Sequence, residues 1–108
     1  MPYILIKAWW PSDKTEEVVK KGFEVASKYP PDHSLSETIV QNCVKASKRG
    51  ILNISIGEVK KGKLEEALTL AQKSVVEYHN IVGFEYSIEV WSNAIEAFGT
   101  VGRTPPPA

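Results

Sequence analysis

The residues of this chain best equipped to do chemistry are Lys7, Glu85 and Glu89, with Tyr3, Trp9 and Trp91 as aromatic company. Lys7 lies in a strand-like run at the start of the sequence, and both glutamates lie in another near its end. A lysine beside carboxylates and aromatic walls has the makings of an acid/base site. Burial and a neighbouring charge move a carboxylate's pKa in opposite directions, and proton transfer needs a pKa near the working pH. The same residues would also make an ordinary cross-strand charge pair, contributing about 0.2–1 kcal/mol. Gln41, Asn53 and Ser55 add uncharged hydrogen-bonding groups on adjoining strand-like runs. The candidate ligand-binding set is therefore Tyr3, Lys7, Trp9, Gln41, Asn53, Ser55, Glu85, Glu89 and Trp91, with no catalytic residue assigned.

Other reactive types lack the neighbours that would activate them. Cys43 is the single cysteine, with Lys45 on the same strand face but no histidine beside it. A thiolate nucleophile needs a base or a positive environment, so a small apolar role is expected. His33 falls in a proline-flanked loop and His79 near a helix end, and no His/Asp/Glu spacing converges on a metal. Neither a metal nor a cofactor is expected. Lys60-Lys61-Gly62-Lys63 precedes a helix, where anions are attracted, but it has one glycine and no phosphate-loop pattern. Asn42 is the one polar interruption in an apolar strand face, and a buried amide of that kind requires hydrogen-bond partners.

The bulk properties narrow the function classes. With 43% apolar and 24% charged residues, the composition is that of a globular domain. Thirteen basic residues balance thirteen acidic ones, which disfavours a surface that must neutralise several phosphates at once. Lys48-Arg49-Gly50 opening a strand resembles the start of an RNA-recognition motif. The positions after it that would stack bases hold Ile51, Asn53 and Ser55, not aromatics. No nucleic-acid partner is expected. Apolar stretches are too short to span a bilayer, and no leader pattern is visible. The expected setting is cytoplasmic, without membrane association.

Positioning these residues requires a β-α-β-β-α-β series. Strand-like Tyr3–Trp10, helix-like Asp13–Tyr29, strand-like Thr38–Ser47 and Ile51–Val59, helix-like Leu64–Asn80 and strand-like Phe84–Trp91 follow in order. Asp13 and Glu16 are spaced as a capping box, with Val19, Phe23 and Ala26 on the expected inner face. Pro30-Pro31 ends the first helix. The second helix carries Leu64, Ala67, Leu68, Ala71, Val75 and Tyr78 at helical spacing. Asn93 and Glu96 cap a short helical turn through Phe98. Residues 1–99 form one domain, and 100–108 form a flexible tail.

Lys48-Arg49-Gly50 suits a three-residue hairpin loop with its glycine left-handed. Ser47 would then face Ile51, and Ile39 would face Val59. Val40, Asn42, Val44, Ala46, Leu52, Ile54, Ile56 and Glu58 would lie under the helices. Gln41, Cys43, Asn53 and Ser55 would lie on the opposite face. In the outer runs, Ile4, Ile6, Ala8, Tyr86, Ile88 and Val90 face the helices. Tyr3, Leu5, Lys7, Trp9, Glu85, Glu89 and Trp91 do not.

With its long hairpin, its Phe84–Trp91 strand and its trailing Asn93–Phe98 turn, the chain resembles the dimeric α/β-barrel superfamily of ferredoxin-like α+β folds. The likeness is of pattern, covers about residues 2–99, and is nearest the superfamily's small prokaryotic members of unassigned activity. It implies a four-stranded antiparallel sheet in the order 4-1-3-2 with both helices on one face, and two copies pairing their open faces. An uncovered face carrying Tyr3, Leu5, Trp9, Ile39, Cys43, Ile51, Val59 and Trp91 independently calls for a covering partner. The expectation is a homodimer binding a small, partly apolar molecule between its sheets. The alternatives are a cofactor-independent monooxygenase- or isomerase-like enzyme and a purely structural interaction module.

Overall fold

The computed structural model describes residues 1–108. It is an α+β fold with one open, four-stranded antiparallel sheet. The elements are β1 (Tyr3–Trp10), a 3-10 turn (Ser12–Lys14), α1 (Thr15–Lys28), β2 (Ser36–Ser47), β3 (Gly50–Val59), α2 (Leu64–Val76), β4 (Glu85–Trp91) and α3 (Ala94–Gly99). The strands lie in the order β2-β3-β1-β4, which counted from the opposite edge is β4-β1-β3-β2. No helix is long and apolar enough to cross a membrane.

Alternation in β1 sends Ile4, Ile6, Ala8 and Trp10 to the helix-bearing face. Ile4 and Ile6 pack with Val59, Leu35 and the α2 residues Leu64, Ala67, Leu68 and Leu70. Ala8 and Trp10 pack with Val18 of α1, Ile81, Ile51, Tyr78 and Phe84. Trp10 and Phe84 stack with centroids 6.1 Å apart, and Phe84 and Tyr78 with centroids 4.8 Å apart. The Trp10 indole N–H donates to Thr15 Oγ1 at 3.1 Å, so the buried ring keeps its polar edge satisfied. Of the stripe expected on α2, Leu64, Ala67 and Leu68 pack here and Val75 is buried, joined by Leu70, while Tyr78 lies beyond the helix end.

The first helix departs from expectation. The chain enters it through the 3-10 turn, Lys14 occupies the cap position, and no side chain caps it. The Asp13–Glu16 capping box does not form, because Asp13 is already inside that turn. The buried residues of α1 are Val18 and Val25, while Val19 and Phe23 are 51% and 73% exposed and Ala26 is exposed. The helix is rolled so that Gly22 comes up to the Tyr78 hydroxyl; a Cβ there would lie 3.5 Å from it. Helix α2 stops at Val76, and Tyr78–Asn80 form turns. Helix α3 has the expected cap: Asn93 Oδ1 accepts from Glu96 N–H, and Glu96 Oε1 accepts from Asn93 N–H, both at 2.8 Å.

The central hairpin is the main correction. Its loop has two residues, Lys48 and Arg49, with Ser47 paired to Gly50 and Ala46 to Ile51. Ser47 Oγ tightens the turn, donating to Gly50 O at 3.1 Å and accepting from Arg49 N–H at 3.3 Å. Farther along, β2 bulges between Thr38 and Val40 and again between Val40 and Cys43. The offset from the expected register therefore grows, and Val59 ends opposite Ser36 rather than Ile39. A one-residue change at a turn moves a strand's whole side-chain set to the other face.

Candidate functional site

Directly opposed residues of antiparallel strands share a face. Tyr3, Leu5, Lys7 and Trp9 are opposed by Glu58, Ile56, Ile54 and Leu52 of β3, and by Trp91, Glu89, Ser87 and Glu85 of β4. These residues make up the sheet face away from the helix-side core. Cys43 and Lys45 of β2 join them, opposite Ile54 and Leu52. Six candidates thus come together as expected: Tyr3, Lys7, Trp9, Glu85, Glu89 and Trp91. Gln41, Asn53 and Ser55 do not. Asn53 and Ser55 are opposed by Ala8 and Ile6, on the helix side, and Gln41 lines a cleft on that side. Ile51 and Val59, expected on the open face, pack in the core instead. Leu52, Ile54 and Ile56 take the places of these residues, making the open face more apolar than expected.

The polar groups of the open face are mutually engaged. Glu89 Oε1 accepts from the Trp91 indole N–H at 2.8 Å, and Oε2 accepts from Ser87 Oγ at 3.0 Å. Lys7 Nζ lies 3.6 Å from Oε2. These donors hold the Glu89 carboxyl below its ordinary value, the Trp91 bond contributing most, then Ser87, with the Lys7 charge adding to them. A carboxylate so held is a poor proton acceptor at neutral pH. Glu85 is taken separately: Arg49 reaches across from the hairpin turn, bonds it at 2.6 Å, and sits 4.8 Å from the centroid of the Trp9 ring. The expected acid/base pair is therefore two separate ion pairs. Arg49 escaped sequence reading because it was weighed only as a residue of the hairpin loop, whereas the turn carries its guanidinium to the first residue of β4.

A pH prediction follows from the Glu89 network. Ionisation of a carboxyl held below its unfolded value of 4.5 contributes stability that is fully present above that pH and lost as pH falls through the lower folded-state value. Glu89→Gln should therefore flatten the loss of stability as pH falls below 4.5, read as the shift in urea midpoint. Parallel pH profiles for the two proteins would reject the network.

On the helix side, two adjoining cavities of about 300 and 180 Å³ share Ile6, Asn42 and Ser55. The larger lies between α2 and the β2–β3 hairpin, and the smaller reaches Trp10, Tyr78 and Phe84. They exist because β3 turns Asn53, Ser55 and Gly57 toward the helices, where bulkier side chains would fill the space. Asn42, expected to be buried and bonded to backbone, is exposed and left-handed at φ 52° in the second bulge. Its N–H donates to Ser55 Oγ and its Oδ1 accepts from the same hydroxyl, both at 3.3 Å. The sequence signal was the small polar series Asn53, Ser55, Gly57, which marks a cleft floor only once its face is known.

The remaining reactive types are placed apart. His33 lies 3.5 Å from Glu37, and His79 lies 3.3 Å from the Tyr86 hydroxyl. Cys43 is exposed on the open face. Comparison with protein-family models, with curated proteins and with solved structures returned no match.

Proposed function

We propose that this chain is a homodimeric interaction module whose two copies pair through their open sheet faces, in the manner of a ferredoxin-like dimeric α/β barrel. The observation that carries the proposal is the half-buried apolar band of Trp9, Leu52, Ile54 and Ile56 across β1 and β3, with Leu5, already buried in the single chain, at its edge. Four strands about 4.8 Å apart, paired over seven or eight residues, make a face of roughly 450–500 Å² before side-chain relief is counted. That is on the scale of the ~800 Å² each partner contributes to a standard interface. Lys7, Lys45 and Arg49 share this face with Glu58, Glu85 and Glu89. A face of mixed sign on a chain of zero net charge suits a two-fold partner identical to itself. Loss of Gln41, Asn53 and Ser55 from the face removes three of the uncharged hydrogen-bonding groups that a ligand between the sheets would have used. A filled interface is therefore favoured over a wet one. The enzyme alternatives weaken with them, since both glutamates are already engaged.

Cys43 is a built-in reporter of this pairing. Its alkylation rate should fall severalfold as protein concentration rises through the dimerisation range, in step with the mass measured by sedimentation equilibrium. A chain that stays monomeric at micromolar concentration, with Cys43 equally reactive throughout, would end the proposal.

A further inference from the structure

We propose that the helix-side cleft is a binding site for a small uncharged molecule carrying an aromatic ring and an amide. This goes beyond the pairing of open faces, because the cleft lies between the sheet and α2, on the helix side. The first argument is charge. Although about a quarter of the chain is charged, neither adjoining cavity is lined by a single Lys, Arg, Asp, Glu or His. A phosphate, carboxylate or ammonium group would enter such a cleft without a counter-charge, at a desolvation cost nothing there offsets.

The second argument is the distribution of polar and aromatic groups. Most of the lining is apolar, and a few uncharged hydrogen-bonding groups converge where the cavities meet, the usual make-up of a ligand pocket. Asn42 lines both cavities. The bond pair with Ser55 uses its backbone N–H and its Oδ1, so the Nδ2 hydrogens remain to donate to a carbonyl oxygen. Asn53 in the smaller cavity and Gln41 in the larger each bring an amide that can donate and accept. A ligand amide offers both complementary functions. Beyond this polar junction, the smaller cavity includes Trp10, Phe84 and Tyr78, whose rings are already stacked on one another. Such a wall favours a further aromatic ring.

The third argument is backbone conformation. Asn42 holds a left-handed φ in a bulge where two residues oppose Ser55. Strained backbone of this kind persists where the surroundings over-determine it, and bulges re-aim side chains. Here the bulge places Asn42 where it lines both cavities.

The test is titration of the whole ¹⁵N-labelled chain with benzamide, and in parallel with benzoate and benzylamine, which match its size and differ in charge. Benzamide is expected to shift the amide signals of Asn42, Asn53, Ser55 and Ser74 and the Trp10 indole signal saturably. Benzoate and benzylamine should bind at least about tenfold more weakly. Asn42→Gly keeps the left-handed backbone and removes the side-chain donor, and should weaken benzamide binding by about tenfold. Asn53→Ala, which leaves the bulge untouched, should weaken it severalfold. The proposal is overturned if benzamide gives no saturable shift, if its shifts fall on the open sheet face, if benzoate or benzylamine binds as tightly, or if both variants bind benzamide like the parent chain.

Discussion

Ile54→Glu should leave a folded monomer. Ile54 stands mid-strand in β3, opposite Lys7 on one side and Cys43 on the other, at the centre of the apolar band. In the single chain it is only partly buried, and its cross-strand neighbour Lys7 gives a carboxylate company. The fold should therefore tolerate the change, with circular dichroism and urea midpoint close to those of the parent. In the paired state the carboxylate would be buried against an apolar partner face, a cost of several kcal/mol. Two-fold symmetry brings the substitution into the interface twice. The dimer dissociation constant should rise at least about a hundredfold, measured by sedimentation equilibrium. Asn53→Asp is the matching control. It is one residue away but on the helix side, so it should leave association unchanged. Were Asn53→Asp the disruptive change while keeping the parent's circular dichroism and urea midpoint, the register of β3 would be the one expected from sequence, not the one observed.

Gly50→Ala should be among the most damaging single substitutions in the chain. Gly50 opens β3 at φ 108°, and a Cβ there would collide with the Trp10 carbonyl oxygen and lie 3.1 Å from Pro11 Cα. Both obstacles are backbone at the end of β1, so relief requires moving the sheet itself. Left-handed strain and the backbone clash together should cost about 3 kcal/mol or more, read from urea denaturation. Gly62→Ala separates the two contributions. Gly62 also has a positive φ, at 74°, but has open space where a Cβ would go. Its substitution should cost only about 1–2 kcal/mol. Equal losses at the two sites would mean that the β1–β3 junction yields more easily than its contacts imply.

Where one apolar stripe had one place to go, the elements were legible in the sequence. In β1, alternation alone separates Ile4, Ile6 and Ala8 from Tyr3, Leu5, Lys7 and Trp9. The β4 set follows by pairing, which places Tyr3 beside Trp91 and Trp9 beside Glu85. Helix α2 likewise has a single narrow stripe. Helix α1 does not: Val18, Val19, Phe23, Val25 and Ala26 spread over a broad arc. The positions of Tyr78 and Ile81, contributed by a distant segment, select Val18, Gly22 and Val25 as its inner edge.

The hairpin shows the same limit more sharply. Alternation in β3 groups Leu52, Ile54 and Ile56 on one face and Asn53, Ser55 and Gly57 on the other. Apolarity argues for placing the first group under the helices. Whether Gly50 is inside the loop or paired with Ser47 reverses that placement, and the Ser47 hydroxyl bonds across the turn favour pairing.

The sequence by itself determined the order of strands and helices, the faces of β1, β4 and α2, and the residue types available for chemistry. Period and capping are local properties, carried by neighbours a few positions apart. Only the tertiary structure decided which face β3 turns outward, and with it whether Asn53 and Ser55 share a surface with Lys7 or with α2. It alone brought Arg49 to Glu85 and Trp9. Those outcomes depend on turn length, bulges and strand order. Each of these shifts a whole strand at once while leaving its local pattern unchanged.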